Sequence, residues 1–268
     1  MIKVDGQVFD IGSFPDGTML IHYEPTIVQK IHSITIRWTY ENDREFVCLM
    51  YLVKHLRSKG VHCIRLVMPY IPNARQDRVK NPEDVFTLKY FAELLNSLEL
   101  TSIEVLDPHS SVSEALINNL IIRTPEWNVT YVLDEIEHQS GPDIMMFYPD
   151  EGAMKRYSGM TVLPYAFGIK KRDWKTGQIL GLDVAGEVDK IAGKNILIVD
   201  DICSRGGTFL HSAQKLKELG ANDIYLYVSH CENTILEGNL LSYNGLIKKV
   251  YTTDSIFTKS HEKIEVLK

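Results

Sequence analysis

Four short apolar runs in this chain each end in a polar cluster, and that pattern confines the fold. Residues 64–68 run into Pro69 and on to Arg75, and residues 103–106 run into Asp107 and His109. Residues 144–148 run into Asp150, and residues 195–199 into Asp200 and Asp201. Helical stretches lie between them. Phe46, Val47, Leu49, Met50, Leu52, Val53 and Leu56 follow helical spacing, which predicts a helix over 43–59, opened by Asn42 or Asp43 and closed by Gly60. Further helices are expected over 84–97 and 207–219, and further strands over 224–228 and 249–252. Strands alternating with helices predict an α/β protein with mainly parallel sheets flanked by helices. In such sheets ligands sit beyond the C-terminal ends of the strands, where all four clusters fall. The Pro125-Glu126-Trp127-Asn128 stretch marks a boundary, giving expected lobes of 1–125 and 126–268.

Composition removes several classes. A chain of 268 residues that is 44% hydrophobic and 24% charged has the makings of a large core and a hydrated surface. A formal charge of −6 argues against a nucleic-acid partner. It leaves room for small anionic ligands beside local basic clusters such as Lys170, Lys171 and Arg172. The four cysteines form no C-x-x-C pair and no disulfide framework. No apolar run approaches the ~20 residues that span a bilayer, and no leader-like h-region stands at the N-terminus. The expectation is no membrane partner and a cytoplasmic location.

The most specific string is Asp200-Asp201-Ile202-Cys203-Ser204-Arg205-Gly206-Gly207-Thr208. A buried strand delivers two acids, and a glycine turn then opens a helix. Glycines let backbone N–H groups close on an anion, the helix N-terminus adds partial positive charge, and Thr208 adds a hydroxyl. Two carboxylates beside a phosphate nest suit a ribose, whose vicinal hydroxyls donate to them, or a divalent metal. No G-K-[ST] follows, so this is no Walker A loop. In the first half, Arg75 and Arg78 offer planar forks to phosphate oxygens, and Gln76 offers an amide to a base or ribose.

The 200–208 string resembles the phosphoribosyl-diphosphate loop of type I phosphoribosyltransferase folds, D-D-x-x-D-T-G-G-T. Ser204 stands at its third Asp and Arg205 at its first Thr. Residues 69–78, with Arg75-Gln76-Asp77-Arg78, resemble the P-Y-x-x-Y-A-R-Q-D-R segment of ribose-phosphate diphosphokinases. Weaker pieces follow in that family's order. Phe14 and Asp16 fall in an F-x-D-G-E-like turn with Thr18 in place of Glu, and His109 in a D-L-H-like segment. Asp150 falls in a P-D-x-G-like segment, and Lys170 and Arg172 in a K-x-R pair.

The resemblance implies two phosphoribosyltransferase-like lobes and a Mg-dependent enzyme. Its reaction would move the β,γ-diphosphoryl group of ATP to the 1-hydroxyl of ribose 5-phosphate. It implies ATP contacts from Phe14, Asp16, Arg75, Gln76, Asp77, Arg78 and His109. It also implies ribose-phosphate contacts from Asp200, Asp201 and 204–208, metal ligation by His109 and Asp150, and catalysis by Lys170 and Arg172 on a mobile loop. The hairpin contact to adenine comes from a neighbouring subunit, so a homo-oligomer is expected. Two other readings stay open. Arg205 replaces a Thr, and Ser204 a carboxylate, so a larger acceptor such as ADP-ribose is one alternative. A catalytically silent regulatory relative is the other.

Overall fold

The computed structural model describes residues 1–23, 33–172, 179–242 and 245–268. They form two compact units, Met1–Thr124 and Pro125–Lys268.

The first unit opens with short strands β1 (Ile2–Val4), β2 (Gln7–Phe9), β3 (Ile11–Ser13) and β4 (Met19–Ile21), followed by β5 (Ser33–Trp38). Helix α1 (Asp43–Ser58), β6 (Cys63–Val67), α2 (Thr87–Asn96), β7 (Ser102–Leu106), α3 (Val112–Leu116) and β8 (Leu120–Arg123) complete it. The sheet order is β2-β1-β5-β6-β7-β8. Strands β5 to β8 are parallel, and β1 and β2 add an antiparallel edge. Asn42 caps α1 by accepting the Glu45 backbone N–H at 3.3 Å, and Gly60 follows it at φ 85, a left-handed conformation that suits glycine. Leu49, Leu52, Val53 and Leu56 of α1 lie buried with Ile34, Ile36, Ile64 and Leu66 of the sheet.

The second unit contains α4 (Glu126–Ser140), β9 (Ile144–Tyr148), α5 (Glu151–Tyr157), β10 (Tyr165–Arg172) and β11 (Ile179–Gly186). It continues with β12 (Asn195–Cys203), α6 (Gly207–Glu218), β13 (Ile224–Cys231), β14 (Lys249–Thr253) and β15 (Ile264–Leu267). Its sheet order is β11-β10-β9-β12-β13-β14-β15. Every neighbouring pair is parallel except the β10–β11 hairpin. Side chains alternate along each strand, so Met145 and Phe147 pack on one face with Phe209, Ala213 and Leu216 of α6. Met146 and Tyr148 pack on the other with Val129, Val132 and Ile136 of α4 and Tyr157 of α5. Burial on both faces explains why β9 and β12 read as unbroken apolar runs.

Both units are thus α/β, with mainly parallel sheets flanked by helices. No helix among the described residues is long and apolar enough to cross a membrane.

Candidate functional site

The central strand β12 sets up the acid–glycine loop of the second unit. Its residues Ile196, Leu197, Ile198 and Val199 are fully buried, and the strand runs on through half-buried Asp200 and buried Asp201 to Cys203. Alternation sends Asp201 to the side of Leu197 and Val199, which is the side of α5. There its Oδ2 stands 3.5 Å from Arg156 Nη1. The Asp201 backbone N–H donates to Asp200 Oδ1 at 3.0 Å. Strand β9 runs parallel beside β12 and ends just before Asp150, which caps α5 by accepting the Ala153 backbone N–H at 3.1 Å. Burial pushes the Asp200 carboxyl well above the usual carboxylate range, and the charges of Asp201 and Asp150 push the same way. The three acids therefore form one electrostatic group that a donor-rich ligand or a cation would relieve.

The loop after the acids is held by its backbone. Gly206 sits at φ 79, in the left-handed region, and opens α6. A Cβ on Gly206 would lie 2.8 Å from the Leu240 side chain, and one on Gly238 would overlap the Arg205 carbonyl oxygen. The 238–240 segment therefore leaves the loop no slack from behind. Gly207 is exposed and a Cβ there would meet nothing, so the mouth of the loop and the α6 N-terminus are open to an anion. Arg205 is exposed, and its Nη2 pairs with Glu237 Oε2 at 3.1 Å.

In the first unit, residues 68–86 leave β6 as a long irregular excursion before α2. The Leu106 backbone N–H donates to the Pro69 carbonyl at 2.9 Å, and Ile71 and Ala74 are buried. Asn73 is left-handed at φ 64. The turn then exposes Arg75, Gln76 and Arg78 while burying Asp77. Arg78 grips Asp77 with two parallel hydrogen bonds, Nε to Oδ1 at 2.7 Å and Nη2 to Oδ2 at 2.9 Å. Ser110 Oγ donates to Asp77 Oδ2 at 2.6 Å, which ties the excursion to the turn carrying His109. The Arg78 hydrogen bond, joined by that of Ser110, holds the Asp77 carboxyl well below the usual carboxylate range. Thr87 Oγ1 donates to Gln76 Oε1 at 2.9 Å. His109 is half-buried behind Asp107, which has a left-handed φ of 39.

Phe14 and Asp16 lie on the β3–β4 hairpin, a separate two-stranded sheet. Asp16 Oδ1 accepts from Thr18 Oγ1 at 2.7 Å and from the Thr18 backbone N–H at 3.0 Å, so its carboxyl is held below its ordinary range by that hydroxyl. Phe14 is 49% exposed.

Lys170 and Arg172 stand on the backbone of β10, paired with Leu182 and Ile179 of β11, so they extend a strand rather than a loop. Much of the segment expected to be mobile, 173–178, lies outside the described residues. The expectation of a loop there missed the hairpin because charged residues hid the alternation. Among the described residues no three His, Cys, Asp or Glu side chains form a ready-made metal cage.

Sequence reading passed over three residues that touch these sites. Arg156 meets Asp201, Ser110 meets Asp77, and Gly238 backs the loop at Arg205. None had a local signal, because each partner lies far along the chain.

A parallel sheet whose central strand carries an acid pair ahead of a left-handed glycine and a helix N-terminus is that of a type I phosphoribosyltransferase fold. The family described as the N-terminal domain of ribose phosphate pyrophosphokinase matches residues 2–98. The ribose-phosphate pyrophosphokinase of Thermococcus kodakarensis is 26% identical over 257 residues, covering 93% of this chain and 86% of that protein. The Bacillus subtilis protein of the same name is 28% identical over 261 residues, covering 95% and 79%. The crystal structure of phosphoribosylpyrophosphate synthetase from Mycobacterium smegmatis superposes with a TM-score of 0.78 at 18% identity, covering 97% of this chain and 85% of that one. Along nearly its whole length the chain is similar to ribose-phosphate pyrophosphokinases, and its residues 2–98 match the N-terminal domain of that family.

Proposed function

We propose that this protein transfers the β,γ-diphosphoryl group of ATP to the anomeric 1-hydroxyl of ribose 5-phosphate, giving phosphoribosyl diphosphate and AMP. The observation that carries this reading is the left-handed Gly206 opening α6 directly after Asp200 and Asp201. That arrangement offers backbone N–H groups to a 5-phosphate and carboxylates to the ribose 2- and 3-hydroxyls of one small molecule.

The remaining roles follow from chemistry. Arg75 and Arg78 bind ATP phosphate oxygens, with His109 alongside, and Gln76 contributes its amide. Asp77 acts by fixing Arg78 rather than by touching the nucleotide, since its two oxygens already accept three hydrogen bonds. The sugar 1-hydroxyl oxygen attacks the β-phosphorus, the bond to the α–β bridging oxygen breaks, AMP leaves carrying that oxygen, and the hydroxyl proton passes to solvent. Lys170 and Arg172 stabilise the charge that develops on the transferring group, more in the transition state than in the ground state. Phe14 and Asp16 contact adenine from a neighbouring copy, which makes the working form a homo-oligomer.

A magnesium ion suits this donor set. It keeps most of its waters and is held by one or two side chains together with substrate phosphates, so a full protein cage is not needed. Asp150 of the second unit would hold it, and it would neutralise phosphate oxygens of the substrates.

Incubation with ATP, Mg²⁺ and ribose 5-phosphate, followed by phosphorus NMR, tests the reaction. AMP and a new diphosphate doublet pair are expected. ADP as the sole nucleotide product, or no turnover, would overturn the proposal. The pairing of Arg205 with Glu237 offsets the extra positive charge that would favour ADP-ribose, so ribose 5-phosphate is the acceptor proposed.

A further inference from the structure

The acid pair has a cationic neighbour to which the mechanism above gives no task. Arg156 lies on α5, the helix that Asp150 caps, and its Nη1 stands 3.5 Å from Asp201 Oδ2. Asp201 keeps only 7% of its side-chain surface exposed, and Arg156 keeps 33%. The guanidinium is itself restrained. Its Nη1 donates to the Tyr157 hydroxyl at 3.3 Å, and its central carbon lies 5.6 Å from the Tyr157 ring centroid. Tyr157 is 1% exposed, so Arg156 is braced against the core. Its neighbour Lys155 is engaged elsewhere, with Glu151 at 2.8 Å on the solvent side of the helix.

We propose that Arg156 is a positioning residue for ribose binding: its guanidinium holds the Asp201 carboxylate in the orientation that accepts the sugar's vicinal hydroxyls. Asp150, Asp200 and Asp201 converge at the ends of two neighbouring strands, and like charges at that spacing repel. A planar cation braced on one side gives Asp201 a single preferred direction. Glu232 and His230 lie at the end of β13, on the other side of β12, and Asp150 and Arg156 come from the β9–α5 side. From that side Arg156 forms an ion pair with Asp201. The inference rests on the ribose-phosphate reading of the 200–208 loop.

The test uses the full chain with Arg156→Met and Arg156→Lys, and reads three things. These are the Kd of ribose 5-phosphate by calorimetry, the KM of each substrate, and Tm. Loss of one charge-assisted contact predicts that Arg156→Met raises the ribose 5-phosphate Kd and KM about 10-fold or more, with the ATP KM within about twofold. Arg156→Lys keeps the charge without the planar fork, and is expected to recover part of that loss. Tyr157→Phe removes the hydroxyl brace alone and is expected to raise the same Kd about threefold, which keeps the proposal testable if Arg156→Met does not fold. An unchanged ribose 5-phosphate Kd in Arg156→Met overturns it. So does an equal rise for both substrates accompanied by a lower Tm. If the natural protein releases no AMP, the diphosphokinase reading fails while the ribose 5-phosphate Kd still decides the role of Arg156. A natural protein that does not bind ribose 5-phosphate overturns both.

Discussion

The two proposed phosphate sites are built differently: the 200–208 loop offers backbone, and the 68–86 excursion offers side chains. The loop ends a fully buried strand, turns at a left-handed glycine and is backed by Gly238 and Leu240 within contact of its own main chain. The excursion exposes Arg75, Gln76 and Arg78 on irregular chain, anchored by buried Ile71 and Ala74 and by a buried carboxylate, Asp77, gripped by Arg78 and Ser110. Under the proposed function, the first design fixes a small ligand whose shape changes little, and the second presents long cations that can follow a phosphate chain as it is transferred. Substitutions should therefore act through backbone space in one region and through charge in the other.

The sharpest separation between binding and chemistry concerns a third place, the end of β10. Lys170→Ala and Arg172→Ala should each lower kcat by about 100-fold or more, the scale on which preorganised charge stabilisers act, while the ATP Kd stays within a few-fold. Single-turnover kinetics beside equilibrium binding measure both. Equal losses in kcat and in binding would mean that these cations hold ATP rather than the transition state.

Next in size is Gly206→Ala. It adds a Cβ to a left-handed residue 2.8 Å from Leu240, so strain and overlap act together. A cost of about 1–3 kcal/mol is expected, read as a rise of about 10-fold or more in the ribose 5-phosphate KM with little change for ATP. Gly207→Ala, where a Cβ meets nothing, is the control and should be mild. If the two behave alike, the backbone account of this loop is wrong.

Asp77→Asn probes the other plan. It removes the carboxylate that accepts from Arg78 and Ser110, so a loss of about 1–3 kcal/mol of stability and several-fold in the ATP KM is expected. The direction with pH follows from the lowered carboxyl. A group depressed in the folded state contributes stability that is full above its unfolded value near 4 and is lost as pH falls below it. Chemical denaturation of both forms across acidic pH should therefore show the natural protein losing its advantage over Asp77→Asn as the pH drops. A constant gap would show that Arg78 does not hold Asp77.

How much of this was legible in the sequence divides along the same line. Strand β12 and its acid–glycine turn could be read directly, because two-sided burial leaves an apolar run and a left-handed turn leaves glycine. Helix α1 was legible down to its Asn42 cap for the same local reason. The hairpin β10–β11 was not, because Lys170, Lys171 and Arg172 end the Tyr165-Phe167-Ile169 alternation and read as a solvated loop. Helix α5 was missed because it is short and polar on its outer side, and with it went Arg156. Asp77 was read as an ATP contact because an exposed-looking R-Q-D-R string gives no sign that its third residue turns inward. Only the fold brings Ser110 to it.

The smallest expected effect is at Arg205, and it bears on which ribose the loop admits. From sequence, Ser204 and Arg205 in place of an acid and a threonine shift the local charge toward anions, which keeps a larger, doubly phosphorylated acceptor as the alternative to ribose 5-phosphate. In the structure that positive charge meets Glu237 at 3.1 Å, with both side chains largely exposed. An exposed pair of this kind contributes little to stability and leaves the guanidinium mostly neutralised as seen by a ligand. Arg205→Thr should therefore change kcat/KM for ribose 5-phosphate by no more than about threefold, the range of surface substitutions away from a site. ADP-ribose should remain a poor acceptor in both forms. Glu237→Gln sharpens the comparison, because it frees Arg205 without removing it. If ADP-ribose turnover rises in Glu237→Gln and vanishes again in the double variant with Arg205→Thr, the ion pair is what keeps the second phosphate out. If Arg205→Thr alone cuts ribose 5-phosphate turnover by more than about 10-fold, Arg205 binds the 5-phosphate itself, and side-chain charge as well as backbone makes this loop.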